Sequence, residues 1–232
     1  MILRTQYLER IRPFYDSELI KVITGVRRCG KSVLLKQIAG EIRAEHFDSA
    51  ESDALVFVDF DDYANRELTD PDKLYRFIKP KLSDKRKTYL LFDEIQNVRD
   101  FELVVNSFNT TDNVSIFLTG SNSKLLSGEL ATRLGGRTVS FHVMPFNFRE
   151  FCCFKEDQLH SGVFEGHLDK SMLLDEYLTW GGFPLVCGQQ LAESRRVVLD
   201  NLYNSIVLRD IIQRNKVSSA TTLENVLDYL IA

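Results

Sequence analysis

The residues Gly25-Val26-Arg27-Arg28-Cys29-Gly30-Lys31-Ser32 follow the pattern G-x-x-x-x-G-K-[ST]. This spacing suits an anion. Two glycines let the backbone curl so that successive N–H groups converge on phosphate oxygens. A lysine at position 31 reaches the β- and γ-phosphates, and a hydroxyl at position 32 sits on Mg²⁺. By average residue usage the pattern arises by chance in roughly 1% of chains this long, so the flanks must decide. The expected contact stretch is Gly25, Val26, Arg27, Arg28, Cys29, Gly30, Lys31, Ser32 and Val33.

Binding is half of the chemistry, and hydrolysis needs carboxylates. The segment Tyr89 to Gln96, YLLFDEIQ, is an apolar run ending in adjacent acids. Asp93 suits the Mg²⁺ side, and Glu94 suits polarisation of an attacking water. Ser121 and Asn122, after the run IFLTG, are the polar residues expected to face the γ-phosphate. Arg133 and Arg137 are the candidate arginines for stabilising phosphoryl transfer, supplied by a neighbouring subunit. Surface roles explain these two arginines equally well.

These residues need a strand before the loop and a helix after it. Leu19 to Thr24 is a β-branched run that reads as a strand. In SVLLKQIAGEIR, Leu34, Leu35, Ile38 and Ile42 share one helical face. Further strands are expected at Leu55–Phe60, Tyr89–Phe92, Val114–Thr119 and Thr138–Val143. Asp70-Pro71 opens a helix with Leu74, Phe77 and Ile78 inward. Phe101, Val104, Val105 and Phe108 line another. Strands alternating with helices predict an α/β fold with a mostly parallel five-stranded sheet in three layers. From Glu150 onward the chain reads as helical. The strand between the loop and Asp93, with the adjacent Asp-Glu, points to the ATPase division of these proteins rather than to GTPases or small kinases.

The chain of 232 residues suits one large domain, or one with an appendage. Its net charge of −4, from 29 basic and 33 acidic residues, argues against a general affinity for nucleic acid. No run approaches the length of a membrane span, and the N-terminus lacks a secretory apolar core. The four cysteines show no zinc-type spacing and read as reduced thiols of a cytoplasmic protein.

Taken together, GVRRCGKSVLLKQI, LLFDEIQNV, IFLTGSNSKLLS, the GGR before a strand, PFNFREF and GGFP resemble the AAA-type ATP-binding proteins of bacteria and archaea. More narrowly, they resemble the clade in which an N-terminal AAA core precedes a C-terminal domain of unknown function. The resemblance covers roughly Tyr7 to Arg214. It implies ATP and Mg²⁺ as ligands, with Lys31, Ser32, Asp93 and Glu94 at the matching positions. It also places Ser121 at the sensor position, Arg137 near the finger position and Arg209 as a candidate lid arginine. The implied division is a P-loop core over 1–150, a helical lid over 151–215 and the start of a winged-helix segment over 216–232. The pattern from the capping box at Thr221–Glu224 ends inside a helix, so the expectation is that the protein continues past Ala232.

Other features have plainer readings beside their functional ones. Arg27 and Arg28 make the loop basic. Cys29, beside Lys31 at a helix start, is expected to have a lowered thiol pKa. Its alkylation is expected to block nucleotide binding. Asp59, Asp61 and Asp62 read first as solvated acids. Lys79, Lys81, Lys85, Arg86 and Lys87 form a basic cluster on the sheet edge away from the nucleotide, either a solvated loop or a DNA contact. Trp180 to Pro184 reads as a packing turn between helices. The expected function is a Mg²⁺-dependent ATPase acting as a switch or motor, with a homo-oligomer completing the site. The alternative is a DNA-associated or defence-type regulator that binds ATP with little turnover. A small-molecule phosphotransferase is a weaker third, since no acceptor pocket is recognisable.

Overall fold

The computed structural model describes residues 2–46, 54–111, 113–120, 132–161 and 169–206, with 222, 225–226 and 229–230 besides. Five strands form one sheet: β1 (Ile20–Thr24), β2 (Leu55–Asp59), β3 (Thr88–Asp93), β4 (Val114–Gly120) and β5 (Thr138–His142). Each end falls within one residue of its expected position. The order is β2-β3-β4-β1-β5, and every pairing is parallel. β1, β3 and β4 are buried along their whole length, as near-continuous apolar runs inside a helix-covered sheet should be.

Parallel pairing collects the carboxyl ends on one edge. Thr24 lies beside Gly120 and His142, and Asp59 beside Asp93. The period of two then sorts side chains between faces. Val22, Val58, Leu90, Phe92, Ile116 and Leu118 join a core with Leu74 and Ile78 of α3 (Pro71–Ile78) and with Phe101, Val104, Val105 and Phe108 of α4 (Phe101–Asn109). The intervening residues, Asp93 and Thr119 among them, belong to the other face. There α2 (Lys31–His46) packs on β2, β3 and β4, and α1 (Thr5–Ile11) packs on α2. Leu34, Leu35, Ile38 and Ile42 of α2 are fully buried, as their spacing predicts.

Local chemistry starts α3: Asp70 accepts from the N–H groups of Asp72 and Lys73 at 3.0 and 3.1 Å, with Pro71 in the first turn. Phe77 departs from expectation. It is 40% exposed, its ring covered by the Lys81 ammonium at 4.9 Å. The helix is only eight residues long, and Leu74 and Ile78 set its inner line four residues apart, which leaves Phe77 at the margin.

The chain divides into two compact units. Met1–Gly25 with Cys29–Met144 holds the sheet. Val26–Arg28 with Pro145–Ala232 holds α5 (Phe148–His160), α6 (Lys170–Trp180), α7 (Pro184–Cys187) and α8 (Ala192–Asn204). In the second unit, Asn147 and Glu150 form a reciprocal capping box at the start of α5. Glu176 bridges two largely buried cations, Lys155 at 2.8 Å and Arg195 at 2.5 Å, and Arg195 lies over the Trp180 ring. Trp180 to Pro184 does connect two helices, and the Gly182 carbonyl accepts the Phe146 N–H at 2.8 Å. No helix among the described residues is long and apolar enough to cross a membrane. Arg209 and most of the capping box at Thr221–Glu224 lie outside the described residues.

Candidate functional site

The loop Gly25–Gly30 joins β1 to α2, so it emerges at the carboxyl edge of the sheet and leads directly into a helix N-terminus. The first N–H groups of a helix lack intrahelical partners and carry its positive end. Two glycines are structurally required. Gly25 has φ +149, and a Cβ there would stand 2.2 Å from the Val143 carbonyl oxygen. Gly30 has φ +104, and a Cβ there would meet the Arg4 guanidinium at 3.1 Å. Arg28 also has positive φ and is exposed. Lys31 and Ser32 open α2. Lys31 is only 3% exposed. Val33 follows them in the first turn, 37% exposed.

Asp93 ends β3, almost fully buried. Its carboxylate accepts hydrogen bonds from the Thr119 and Ser32 hydroxyls. Burial nevertheless pushes the Asp93 carboxyl above the ordinary aspartate value, and those hydrogen bonds offset it only in part. Glu94 follows with left-handed backbone, φ 52 and ψ 48. For a residue bearing a Cβ that conformation costs on the order of 1 kcal/mol. The bend turns its carboxylate to 3.8 Å from Lys31, and Gln96 donates a hydrogen bond to the same group. The Glu94 N–H donates to Thr119 Oγ1 at 3.0 Å. Thr119 on β4 therefore holds both acids: it donates to Asp93 and accepts from Glu94.

The structure thus brings together Lys31 and Ser32 from the start of α2 with Asp93 and Glu94 from the end of β3. It adds Thr119, which the sequence reading passed over; its signal was a hydroxyl residue inside an apolar strand, IFLTG. Arg4 was also passed over. Its guanidinium is buried and donates to the Cys29 carbonyl at 2.9 Å. Asp61 and Asp62 are occupied locally, Asp61 by Asn97 at 2.7 Å and Asp62 by the Ala64 N–H at 2.9 Å. Asp59 stands next to Asp93 across the strand pairing.

Cys29 corrects an expectation. It is fully buried, and burial raises its thiol pKa against the pull of Lys31 and Arg4. Desolvation of a thiolate outweighs nearby cations that are already engaged. Ser121 and Asn122 lie outside the described residues, immediately after Gly120. Arg137 precedes Thr138, which pairs with Ile20 at the amino end of β1. It therefore sits a strand length, about 16 Å, from the edge that carries Lys31. Arg133 is exposed and donates to Glu102 at 3.1 Å. Neither arginine joins this chain's own cluster of Lys31, Asp93 and Glu94.

A family model described as an AAA domain matches residues 17–152. A Haemophilus influenzae protein described as uncharacterized is 37% identical over 233 residues, covering 99% of this chain and 55% of the relative. A Methanocaldococcus jannaschii protein, likewise described, is 34% identical, covering 91% of this chain and 46% of the relative. The chain thus spans about half the length of these curated relatives. Among solved structures, Cdc6p from Pyrobaculum aerophilum is similar with a TM-score of 0.51 at 14% identity, covering 92% of this chain and 62% of that one. PCH-2 from C. elegans is similar with a TM-score of 0.51 at 13% identity, covering 86% and 60%. At such identities the likeness is one of fold, that of the P-loop NTPases.

Proposed function

This chain belongs to the AAA domain family, and we propose that it binds Mg²⁺-ATP at the Gly25–Ser32 loop and hydrolyses it, as a nucleotide-driven switch or motor. The observation that carries this reading is the convergence of Lys31 and Ser32, at a helix start, with Asp93 and Glu94, at a strand end.

The loop amides and Lys31 would hold the β- and γ-phosphates. Ser32 and Asp93 offer hard oxygen donors already joined by a hydrogen bond, a set that suits Mg²⁺. They would hold the ion, which supplies neutralisation of charge on the phosphates when bound. Glu94 would orient a water and accept its proton as the water oxygen bonds to the γ-phosphorus and the bond to ADP breaks. Thr119 would hold the Asp93 carboxylate and the Glu94 backbone in place during that step. We assign Ser121 or Asn122 to the γ-phosphate side. We assign Arg137, with Arg133 as alternative, to a neighbouring copy's site, because each is remote from its own. A lid over 151–215 and a further segment from 216 complete the proposed organisation.

The test is Mg²⁺-ATP hydrolysis against protein concentration, with Glu94→Gln alongside. Specific activity that rises with concentration and vanishes in the variant supports a site completed between copies. ATP binding without turnover, or turnover appearing only with DNA, favours the DNA-associated reading, for which the basic segment Lys79–Lys87 is the place to look. Absence of ATP binding rejects both.

A further inference from the structure

Arg4 lies outside the loop pattern, yet its side chain touches the loop's backbone. It is 1% exposed. One guanidinium nitrogen donates to the Cys29 carbonyl and the other to the Met144 carbonyl, each at 2.9 Å. Its plane lies over the Tyr7 ring at 4.7 Å. Its own N–H is held by Gln37 of α2 at 3.0 Å, and Gln37 in turn donates to the Ile2 carbonyl at 2.6 Å. The Tyr7 hydroxyl accepts the Met144 N–H at 3.0 Å. The N-terminal segment is therefore fastened at once to the loop, to α2 and to the end of β5. Burying a guanidinium this completely is costly unless its donors are hydrogen-bonded, and the Cys29 and Met144 carbonyls supply that here.

The Cys29 carbonyl belongs to the same peptide as the Gly30 N–H. In a planar trans peptide the two point in opposite directions. Fixing the carbonyl on Arg4 therefore turns the Gly30 N–H away from Arg4. The φ of +104 at Gly30, with Arg4 filling the place of a side chain, belongs to the same arrangement.

Resting on the nucleotide reading above, we propose that Arg4 is a positioning residue for phosphate: by holding the Cys29 carbonyl it aims and polarises the Gly30 N–H as a donor to the ligand's phosphate oxygens. The chain runs from the phosphate through the Gly30–Cys29 peptide to a buried positive charge. Hydrogen bonds in series polarise one another, so each strengthens the next. Reciprocity follows: phosphate binding tightens the hold of Arg4 on the Cys29 carbonyl, and losing that one bond weakens phosphate binding.

The test is calorimetric binding of Mg²⁺-ATP and Mg²⁺-ADP to the full chain, comparing wild type, Arg4→Met, Arg4→Lys and Leu8→Ala. Leu8 is buried in α1 and its apolar side chain makes no hydrogen bond, so Leu8→Ala removes packing from the same segment while leaving the Arg4 bonds to the Cys29 and Met144 carbonyls. Arg4→Met should weaken both nucleotides about tenfold or more. Arg4→Lys should recover part of the loss, since one ammonium reaches a single carbonyl well. Leu8→Ala should stay within about twofold of wild type. Nucleotide affinity unchanged in Arg4→Met, or lowered equally in Leu8→Ala, would overturn the proposal. If Arg4→Met does not fold, wild-type NMR decides: ATP should shift the Arg4 guanidinium resonances, and unshifted resonances on saturation would overturn it. Failure of the wild type itself to bind ATP would instead reject the nucleotide reading.

Discussion

The Glu94 carboxylate stands 3.8 Å from the Lys31 ammonium, the one leaving β3 and the other opening α2. Each side chain is largely shielded from water, Lys31 at 3% and Glu94 at 14% exposure. Lysine charge is thus matched within the protein before any phosphate arrives, and an incoming anion must compete with Glu94 for it. Glu94→Gln should therefore keep or strengthen ATP binding while lowering turnover by about 10²- to 10⁴-fold. Titration calorimetry and phosphate release measure the two effects separately. Parallel loss of binding and turnover would show that Glu94 builds the loop rather than acts on water.

Thr119 serves both acids, so its hydroxyl should matter more than its methyl. Thr119→Val leaves buried Asp93 without one donor and the Glu94 N–H without its acceptor. The expected cost is about 1–3 kcal/mol in denaturant unfolding, with a fall in turnover, while Thr119→Ser should restore most of both. Equal behaviour of the two variants would reduce Thr119 to a packing residue.

Lys21 gives the protein a pH dependence away from the site. It is fully buried in β1, donating to the Ser17 carbonyl at 3.1 Å and to Ser115 Oγ at 2.7 Å. Burial, aided by Lys87 and opposed by Asp16, lowers its pKa from 10.5 to about 7. The Phe117 ring face at 4.5 Å favours the charged form but does not overcome desolvation. A neutral amine still has two N–H donors for its two oxygens. Between those two pKa values the unfolded chain binds a proton that the folded chain does not, so unfolding free energy should rise with pH through that window and flatten below about 7. Lys21→Met should lose this slope. Chemical denaturation across the window checks it, and identical slopes would contradict the assignment.

Cysteine labelling should follow burial. Cys153 is exposed, Cys152 intermediate, and Cys29 and Cys187 buried. Burial raises the pKa of both buried thiols, Cys187 to about 11. Brief iodoacetamide treatment, read by mass spectrometry, should mark Cys153 first and Cys29 late. Early modification of Cys29 would mean that the loop opens readily.

Most of the secondary structure was legible in the sequence, since strand and helix periodicities are local. The run Leu19–Thr24, the glycine loop and the stripe Leu34, Leu35, Ile38 and Ile42 lie within a short span, and Asp93-Glu94 marks its own strand end. Phe77 misled because a short helix has a narrow inner line, which only its packing partners fix. Strand order, the contact of Thr119 with Asp93 and the reach of Arg4 to Cys29 join residues remote in sequence, and no local pattern encodes them. The same holds for Cys29: its neighbours in sequence suggested an activated thiol, and tertiary burial reversed the sign. Residue types and spacing determined which groups could do chemistry. Only the parallel sheet, by gathering the carboxyl ends of β1, β3 and β4 on one edge, decided which of them meet.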